Sequence, residues 1–347
     1  MAGKDKQIKA YLYPVTKRLT TGVYNPYLDN FMDSTGSFIS YVNRQYPSNS
    51  GLFNILKFIF HIDLLFLNWA ENIPDKKGGV LQSFFLIVLL RLRRILGIKI
   101  IWTLHNKISH SNEMFFLKKR LFIALLKESD FIITHSGEGI AFAESVVPGS
   151  REKIFYFPHP LKPQKPNKIG KKEFDILIWG TIAPYKGIEG FLAYLEDNDL
   201  LDKFRILISG KILSPEFYGV IKKYERSNII IENRFVSDEE LRYLIALSKA
   251  VLFTYSSNSV LSSGALIDSL SHRATVIGPN IGAFSEMGDL GIIMTYNNFD
   301  QLPQILESII KADSVPDREK LEDFLDTHTW NHFAVALFDS MKQSNIY

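Results

Sequence analysis

The sequence alternates along its whole length between short apolar segments and segments with the apolar spacing of helices. This alternation is typical of parallel α/β layers, because one parallel strand reaches the next through a crossover helix. Some of the short segments, such as Phe131–Thr134, are apolar on both faces. Strands buried between two helical layers have this composition. The chain is therefore predicted to fold into open parallel sheets covered by helices.

Twelve apolar segments are predicted to be strands, and they fall into two runs of six. The first run is Ile8–Tyr13, Phe38–Val42, Ile62–Leu67, Ile98–Leu104, Phe131–Thr134 and Ile154–Phe157. The second is Phe174–Trp179, Phe204–Ser209, Asn228–Glu232, Ala250–Thr254, Thr275–Gly278 and Ile292–Thr295. Helices are predicted between them, in the first half near residues 81–96, 113–127 and 138–145.

The stretch from Pro158 to Lys172 separates the two runs. It contains four prolines and five lysines and has no apolar periodicity, which is typical of a linker. A chain of 347 residues also exceeds what one core usually supports. We predict two Rossmann-like βαβ domains facing a cleft, residues 1–165 and 166–328, with ligands at the carboxyl ends of the strands.

Composition and charge restrict the class of protein. The chain has no cysteine, which excludes disulfides and cysteine-based metal sites. No group of His, Asp and Glu has metal-ligand spacing, and no nucleic-acid-binding motif is present, so neither a metal nor a nucleic acid is expected. The polar start of the chain does not resemble a signal peptide, which predicts a cytoplasmic location. Residues 1–165 carry 22 basic and 12 acidic residues, and the rest 18 and 25. This asymmetry indicates either different partners for the halves or a random spread of solvated charge.

The segment Trp179–Gly187 lies between a predicted strand and a predicted helix. Gly180 permits a tight turn, and Lys186 adds a cation where helix amides already favour anions. This arrangement predicts a phosphate site. The alternative is an ordinary connection between a strand and a helix that binds no ligand.

The segment Tyr255–Asp268 is rich in serine and also joins a strand to a helix. Ser262 or Ser263 is predicted to cap that helix, which leaves amides before Gly264 to bind a diphosphate. The alternative is a capped loop with no ligand.

The segment Trp102–Asn106 ends a predicted strand in the first half. His105 and Asn106 are placed where a substrate contact belongs, and His110 follows in the same loop. The alternative is a structural histidine.

An amphipathic segment covers residues 81–99. One helical stripe is apolar, and Arg91, Arg93 and Arg94 lie off it. A basic amphipathic helix of this kind binds anionic membranes, or it packs on a core through its apolar face and leaves the other face solvated. The apolar stripe consists of Leu81, Phe84, Phe85, Val88, Leu89, Leu92 and Leu96.

Taken together and in this order, several short motifs resemble the family 4 glycosyltransferases of bacterial capsular and exopolysaccharide synthesis. The resemblance covers nearly the whole chain and implies the GT-B fold, with a C-terminal helix at 329–343 that crosses back to the first domain. The motifs are Asn25-Pro26-Tyr27, Asn68–Glu71, Trp102–Asn106, His135-Ser136, Phe157–Pro160, Ile182–Gly187, Thr275–Gly278 with Gly282, and Thr329–Phe333.

The resemblance implies transfer of a hexose from a nucleotide-diphosphate sugar to a saccharide or polyprenyl-linked acceptor, with retention and without a metal or cofactor. It implies that Lys186 neutralises the departing phosphates, that His105 contacts the donor sugar, and that Asp268 accepts a hydrogen bond from donor hydroxyls. The donor residues are completed by Gly180, Thr181, Tyr185, Ser262, Ser263 and Gly264, and the acceptor side is Asn25, Tyr27, Trp69, Asn106 and His110. Such an enzyme acts at the inner face of a membrane, which agrees with the basic segment 81–99.

Two positions depart from the family pattern. Thr181 and Ala183 occupy the region in which the family carries an arginine, and Val260 replaces the first of two paired glutamates. Arg273 is the candidate for a replacement cation. These departures leave open a non-catalytic sugar-binding homologue on the same fold, or an epimerase that acts on a nucleotide sugar.

Overall fold

A parallel sheet of six strands forms the centre of the first half of the chain. The computed structural model describes residues 7–15, 26–46, 50–107, 114–165, 171–255, 260–311 and 316–347. The strands are β1 (Ile8–Tyr13), β2 (Ile39–Tyr41), β3 (Leu64–Asn68), β4 (Lys99–Leu104), β5 (Phe131–Thr134) and β6 (Ile154–Tyr156). The helices are α1 (Tyr27–Thr35), α2 (Gly79–Leu96), α3 (Phe115–Glu128) and α4 (Gly137–Val146), with short 3₁₀ segments between residues 51 and 75.

The second half repeats this plan around another six-stranded parallel sheet. Its strands are β7 (Phe174–Trp179), β8 (Ile206–Gly210), β9 (Ile229–Asn233), β10 (Ser248–Leu252), β11 (Val276–Pro279) and β12 (Met294–Tyr296). Its helices are α5 (Ile188–Asp197), α6 (Pro215–Lys222), α7 (Asp238–Leu247), α8 (Gly264–Ser271), α9 (Gly282–Asp289), α10 (Leu302–Ile310) and α11 (Arg318–Thr327). The last helix, α12 (Trp330–Gln343), packs on α1.

The strand order places a topological switch point in each sheet. The first sheet has the order β2-β1-β3-β4-β5-β6, and the order reverses between β1 and β3. The second has the order β12-β11-β10-β7-β8-β9, with the reversal between β7 and β10. In open parallel sheets, ligands bind at the carboxyl ends of the strands on either side of such a point. The loops after β7 and β10 therefore define the first place to examine for a binding site.

The chain divides into two units, residues 1–158 with 330–347, and residues 159–329. Each unit has its own apolar core. In the first, α12 contributes Trp330 and Phe333 to a core that also contains Phe31 and Phe66. The C-terminal helix thus packs in the core of the first unit.

All twelve predicted strands are present, with ends that differ by at most two residues. The nine-residue helix α1 is not among the predicted elements. Its apolar positions, which include Phe31 and Met32, form a buried face too short to stand out in the sequence.

The apolar stripe predicted for α2 faces largely away from the core of the first domain. The buried face contains Gln82, Ser83 and Leu86, and the buried Arg93 forms ion pairs with Glu128 and Asp130 at 2.8 and 3.1 Å. Four side chains of the predicted stripe are exposed instead, namely Leu81, Phe84, Val88 and Leu92. The interpretation of α2 as a helix that packs through this stripe and leaves a polar face in water is therefore wrong.

The helices of the described residues include none that is long and apolar enough to cross a membrane.

Candidate functional site

The turn after β7 is shaped by a close approach between two backbones. Gly180 adopts a φ of 102°, a conformation that side-chain-bearing residues rarely adopt. A β-carbon on Gly210, at the end of β8, would lie 1.8 Å from the carbonyl oxygen of Gly180. Only glycine at position 210 allows this contact, and the contact fixes where the loop leaves the sheet. The rest of the loop, including Lys186, is positioned from this point.

Lys186 ends a short 3₁₀ turn that precedes α5, and its ammonium group faces two aromatic rings. Its Nζ donates a hydrogen bond to the hydroxyl of Tyr255 and lies 4.2 Å from the centre of the Tyr255 ring and 5.5 Å from that of Tyr185. Burial lowers the pKa of Lys186 to about 8, and no carboxylate in the described part of the chain offsets this effect. A desolvated cation of this kind is stabilised by a bound anion.

Tyr255 connects Lys186 to the start of α8. Its hydroxyl is 2.9 Å from the Oγ of Ser263, and burial raises the pKa of Tyr255 to about 12, so the phenol is neutral. Ser263 is the N-cap of α8 and accepts a hydrogen bond from the amide of Leu266. The amides at the start of α8 and the Lys186 ammonium therefore lie around the same tyrosine. Both are suited to binding the oxygens of a phosphate.

Other residues predicted for this site lie on the same loops. Thr181 is exposed, and Tyr185 stacks with Tyr255 at 6.1 Å between ring centres. Gly264 is exposed at the first position of α8, and the buried Oγ of Ser262 has no hydrogen-bond partner among the described residues. Asp268 is exposed one turn further along α8. Desolvation nevertheless raises the pKa of the Asp268 carboxyl to about 7.

Arg273 does not reach this site. It follows the carboxyl end of α8 and precedes β11, at the amino edge of the sheet, because α8 runs antiparallel to the strands. Its guanidinium forms an ion pair with Glu322 at 2.6 Å, and it donates to the carbonyl of Gln164. The prediction that Arg273 is a replacement cation at the phosphate site is therefore wrong.

In the first domain, an aromatic cluster lies at the carboxyl ends of β3, β4 and β5. His105 stacks on Trp69 with ring centres 4.4 Å apart, and its Nε2 donates to the Oδ1 of Asn68 at 3.1 Å. Tyr27 packs edge-on against His105 at 5.0 Å and hydrogen-bonds to the Nε2 of His135 at 2.7 Å. The structure thus brings together the three predicted residues Tyr27, Trp69 and His105.

Trp69 holds a strained backbone within this cluster. Its φ of 49° is left-handed, which is uncommon for a bulky residue and is concentrated at functional sites. The neighbouring Asn68 is fully buried, and its Nδ2 has no hydrogen-bond partner in the described residues. This part of the first domain therefore combines backbone strain with an unsatisfied buried donor.

The sequence prediction did not include His135 or Asn68 among the site residues. Both lie at the carboxyl ends of strands, as His105 does. This position is the sequence feature that could have identified them as site residues. Asn106 follows His105 and is half-buried. Asn25 and His110, predicted for the acceptor side, lie outside the described residues.

Several solved structures have the same fold as this chain over nearly its whole length. AviGT4, a glycosyltransferase involved in avilamycin A biosynthesis, matches with a TM-score of 0.61 at 15% identity over 97% of both chains. Anabaena HepE in complex with UDP and glucose matches with a TM-score of 0.63 at 12% identity, over 98% of this chain and 99% of that one. The fold is GT-B.

The lipopolysaccharide outer core galactosyltransferase WaaB has the same GT-B fold as this chain. Its TM-score is 0.63 at 10% identity, over 97% of this chain and 99% of WaaB. No protein-family model and no curated protein sequence matches the chain. At these identities the likeness establishes the fold alone.

Proposed function

We propose that this protein is a glycosyltransferase that takes a sugar from a nucleotide-diphosphate donor. The observation that carries the proposal is the Lys186 ammonium, which is desolvated and has no carboxylate partner among the described residues, beside the capped start of α8. Both groups belong to loops that follow β7 and β10, the two strands at the switch point of the second sheet. The presence of UDP in the similar HepE structure supports a nucleoside diphosphate as the ligand.

The chemistry of glycosyl transfer fits this arrangement. Breaking the bond between the sugar and the diphosphate places negative charge on the departing phosphate oxygens. Fixed cations and backbone amides that are already in place stabilise such charge without reorganisation. Lys186 and the first amides of α8 supply this stabilisation, which supports a reaction that needs no metal ion. We further propose retention of the anomeric configuration, which follows from the family resemblance.

The cluster in the first domain provides the acceptor side. Trp69 is the half-buried member of this cluster and carries its aromatic face, with His105 stacked on it at 4.4 Å, whereas Tyr27 is 4% exposed and supports the two rings from the core. Aromatic surfaces pack on the apolar faces of a saccharide, while polar groups at their edges bind its hydroxyls. The acceptor is therefore a saccharide, free or linked to a polyprenyl lipid.

A non-catalytic sugar-binding protein is the second candidate, and Val260 favours it. In the resemblance this position carries a glutamate, whereas Val260 is apolar and 4% exposed, within the core of the second domain. A carboxylate at this place would be desolvated without an apparent partner. The binding chemistry of Lys186 is compatible with this candidate as well, so turnover must be measured to separate the two.

The proposed donor class is tested by a thermal-shift panel of UDP, GDP, ADP, CMP and dTDP. A ligand present at about 100 times its Kd stabilises a protein by about 2.7 kcal/mol, so one nucleotide is expected to raise the Tm clearly. The matching nucleoside without phosphates serves as the control and is expected to produce no shift. Absence of a shift with every nucleotide would contradict a nucleotide-diphosphate donor.

The exposed face of α2 supports a location of the enzyme on an anionic membrane. Leu81, Phe84, Val88 and Leu92 are 43–66% exposed and are spaced so that they share one side of the helix. Arg91 and Arg94 are exposed beside them, and α2 has no acidic residue. Apolar side chains that enter the interface, together with arginines that meet anionic headgroups, bind a membrane surface without spanning it.

The neighbours of α2 extend the same surface. Helix α3 packs against α2 and exposes 88% of Phe116, with the exposed Lys119 and Arg120 one turn later. The segment 51–57 also packs against α2, and Phe60, three residues after this segment, is 82% exposed. Helices α2 and α3 and the segment before β3 thus present large apolar side chains among basic ones.

Co-sedimentation with lipid vesicles tests this location. We expect binding to vesicles that contain phosphatidylglycerol, weaker binding to phosphatidylcholine alone, and release at high salt, since salt screens the arginines. Val88→Ser is expected to weaken binding, whereas Val335→Ser, at a 53% exposed site on α12, is the matched control with no effect. Equal binding by both variants, or self-association through α2 in place of lipid binding, would contradict the assignment.

A further inference from the structure

A second cavity of the second domain lies at the amino edge of its sheet, away from Lys186. Its volume is about 270 Å³. Its walls come from the segment before β7, from α7, from the start of β10, from the turn between α8 and β11, and from the start of α11. Five basic residues and one histidine line it, namely Lys172, Arg242, Lys249, Arg273, Arg318 and His272, and the described residues contribute no Asp or Glu to the lining.

Only part of this positive charge is neutralised within the protein. Lys249 pairs with Asp175 at 2.9 Å, and Arg273 pairs with Glu322 at 2.6 Å. In the described part of the chain, Lys172, Arg242 and Arg318 form no ion pair. Arg318 donates to the carbonyl of Arg273 at 2.7 Å and to the hydroxyl of Thr275 at 3.4 Å, and it lowers the pKa of Glu322 without forming an ion pair with it.

Two buried nitrogens of the lining also have no hydrogen-bond partner among the described residues. They are Nε of Arg242 and Nδ1 of His272. Buried polar atoms are nearly always bonded, so each such atom needs a specific explanation. Several like charges in one concave site repel one another, and an anion bound among them removes that repulsion while accepting hydrogen bonds.

We propose that this cavity binds the phosphate group of a small molecule, with Arg242, Arg318 and Lys172 as its cationic ligands. Its volume is at the lower end of the range of ligand pockets, roughly 300–1,000 Å³, which suits inorganic phosphate or a small phosphomonoester.

This site is separate from the donor site and does not depend on the proposed function. Strand β10, Ser248–Leu252, has five residues and is about 16 Å long, and this length separates the amino ends of the strands from their carboxyl ends. The cavity includes Ser248, at the start of β10, whereas Tyr255 of the donor site follows the end of the same strand.

Calorimetric titration of the full chain with inorganic phosphate, pyrophosphate and glycerol 1-phosphate tests the proposal. We expect Arg242→Gln and Arg318→Gln each to weaken binding about tenfold or more, as loss of one charge-assisted hydrogen bond does. Arg318 is exposed in the first turn of α11, so this variant is expected to fold even if Arg242→Gln does not. Lys320→Gln removes an exposed charge from the same helix outside the cavity, and it is the control with unchanged affinity.

The donor site is distinguished by Lys186→Ala, which is expected to leave binding at this cavity intact. Tighter binding of glycerol 1-phosphate than of phosphate identifies an organic phosphate as the ligand, and equal binding identifies the free anion. The proposal is overturned if none of the three probes binds at millimolar concentration. It is also overturned if binding is lost in Lys186→Ala and retained in both arginine variants.

Discussion

Replacing Lys186 by alanine is expected to reduce affinity for the donor nucleotide by about a hundredfold and to lower turnover by about 10²–10³-fold. The substitution removes a desolvated ammonium that forms no ion pair with a carboxylate of the described residues. A bound phosphate is therefore the anion with which this ammonium would interact. Loss of one preorganised group that stabilises transition-state charge commonly lowers kcat by about 10²–10³-fold. Calorimetry with the nucleotide and a turnover assay measure the two effects.

The pH dependence of binding provides a second readout of the same side chain. Because burial lowers the pKa of Lys186 to about 8, the free enzyme loses this charge as the pH rises through 8, and nucleotide affinity is expected to fall there. Folding responds in the opposite direction. The cost of burying the charge is present below pH 8 and is relieved as the pH rises toward the unfolded value of 10.5.

Lys211→Ala is the matched control for Lys186→Ala. Lys211 directly follows β8 at the same edge of the sheet and is exposed. We expect near-normal affinity in this variant, because an exposed lysine interacts weakly through solvent. Equal losses in both lysine variants would show that general positive charge, rather than the desolvated group, binds the nucleotide.

Gly210→Ala is expected to lower the free energy of unfolding by about 1–3 kcal/mol, the usual cost of overpacking, and to weaken nucleotide binding as well. The added β-carbon would overlap the carbonyl oxygen of Gly180 at 1.8 Å, so one of the two backbones must move. Since Gly180 begins the loop that positions Lys186, the displacement reaches the phosphate site. Thermal unfolding and nucleotide titration measure both consequences.

Gly219→Ala is the same substitution at an unconstrained place. Gly219 is exposed within α6, and a β-carbon there meets no atom within 4 Å. Alanine is favoured over glycine in a helix by about 0.5–1 kcal/mol, so this variant is expected to be slightly more stable than the wild type. Finding Gly210→Ala as stable as Gly219→Ala would contradict the argument from the close approach.

The sequence predicted the sheets well because burial between helices requires a distinctive composition. Phe131–Thr134 and Phe174–Trp179 have the same bounds in the structure as in the prediction. The orientation of α2 was not predictable in the same way, because this helix has apolar residues on all sides. Its inward face is determined by tertiary contacts, among them the ion pairs of Arg93 with Glu128 and Asp130.

The site was predicted in part, and the reason is geometric. Lys186 lies in the loop between β7 and α5, so its place at the carboxyl edge follows from the direction of β7. Arg273 is only five residues from Asp268, but α8 carries it to the opposite edge of the sheet. His135 joins His105 and Tyr27 from a different strand, a contact between residues far apart in the sequence. Such contacts depend on strand order, which local patterns do not encode.

The most direct test of the central claim is release of nucleoside diphosphate from nucleotide sugars, followed by mass spectrometry with and without a saccharide acceptor. The wild-type protein is expected to release the diphosphate from one donor, to form a glycosylated product when acceptor is present, and to retain this activity in EDTA. A nucleotide that binds while every nucleotide sugar stays intact would contradict the assignment and favour the non-catalytic homologue. Conversion of the nucleotide sugar to an isomer without release would contradict it in favour of an epimerase.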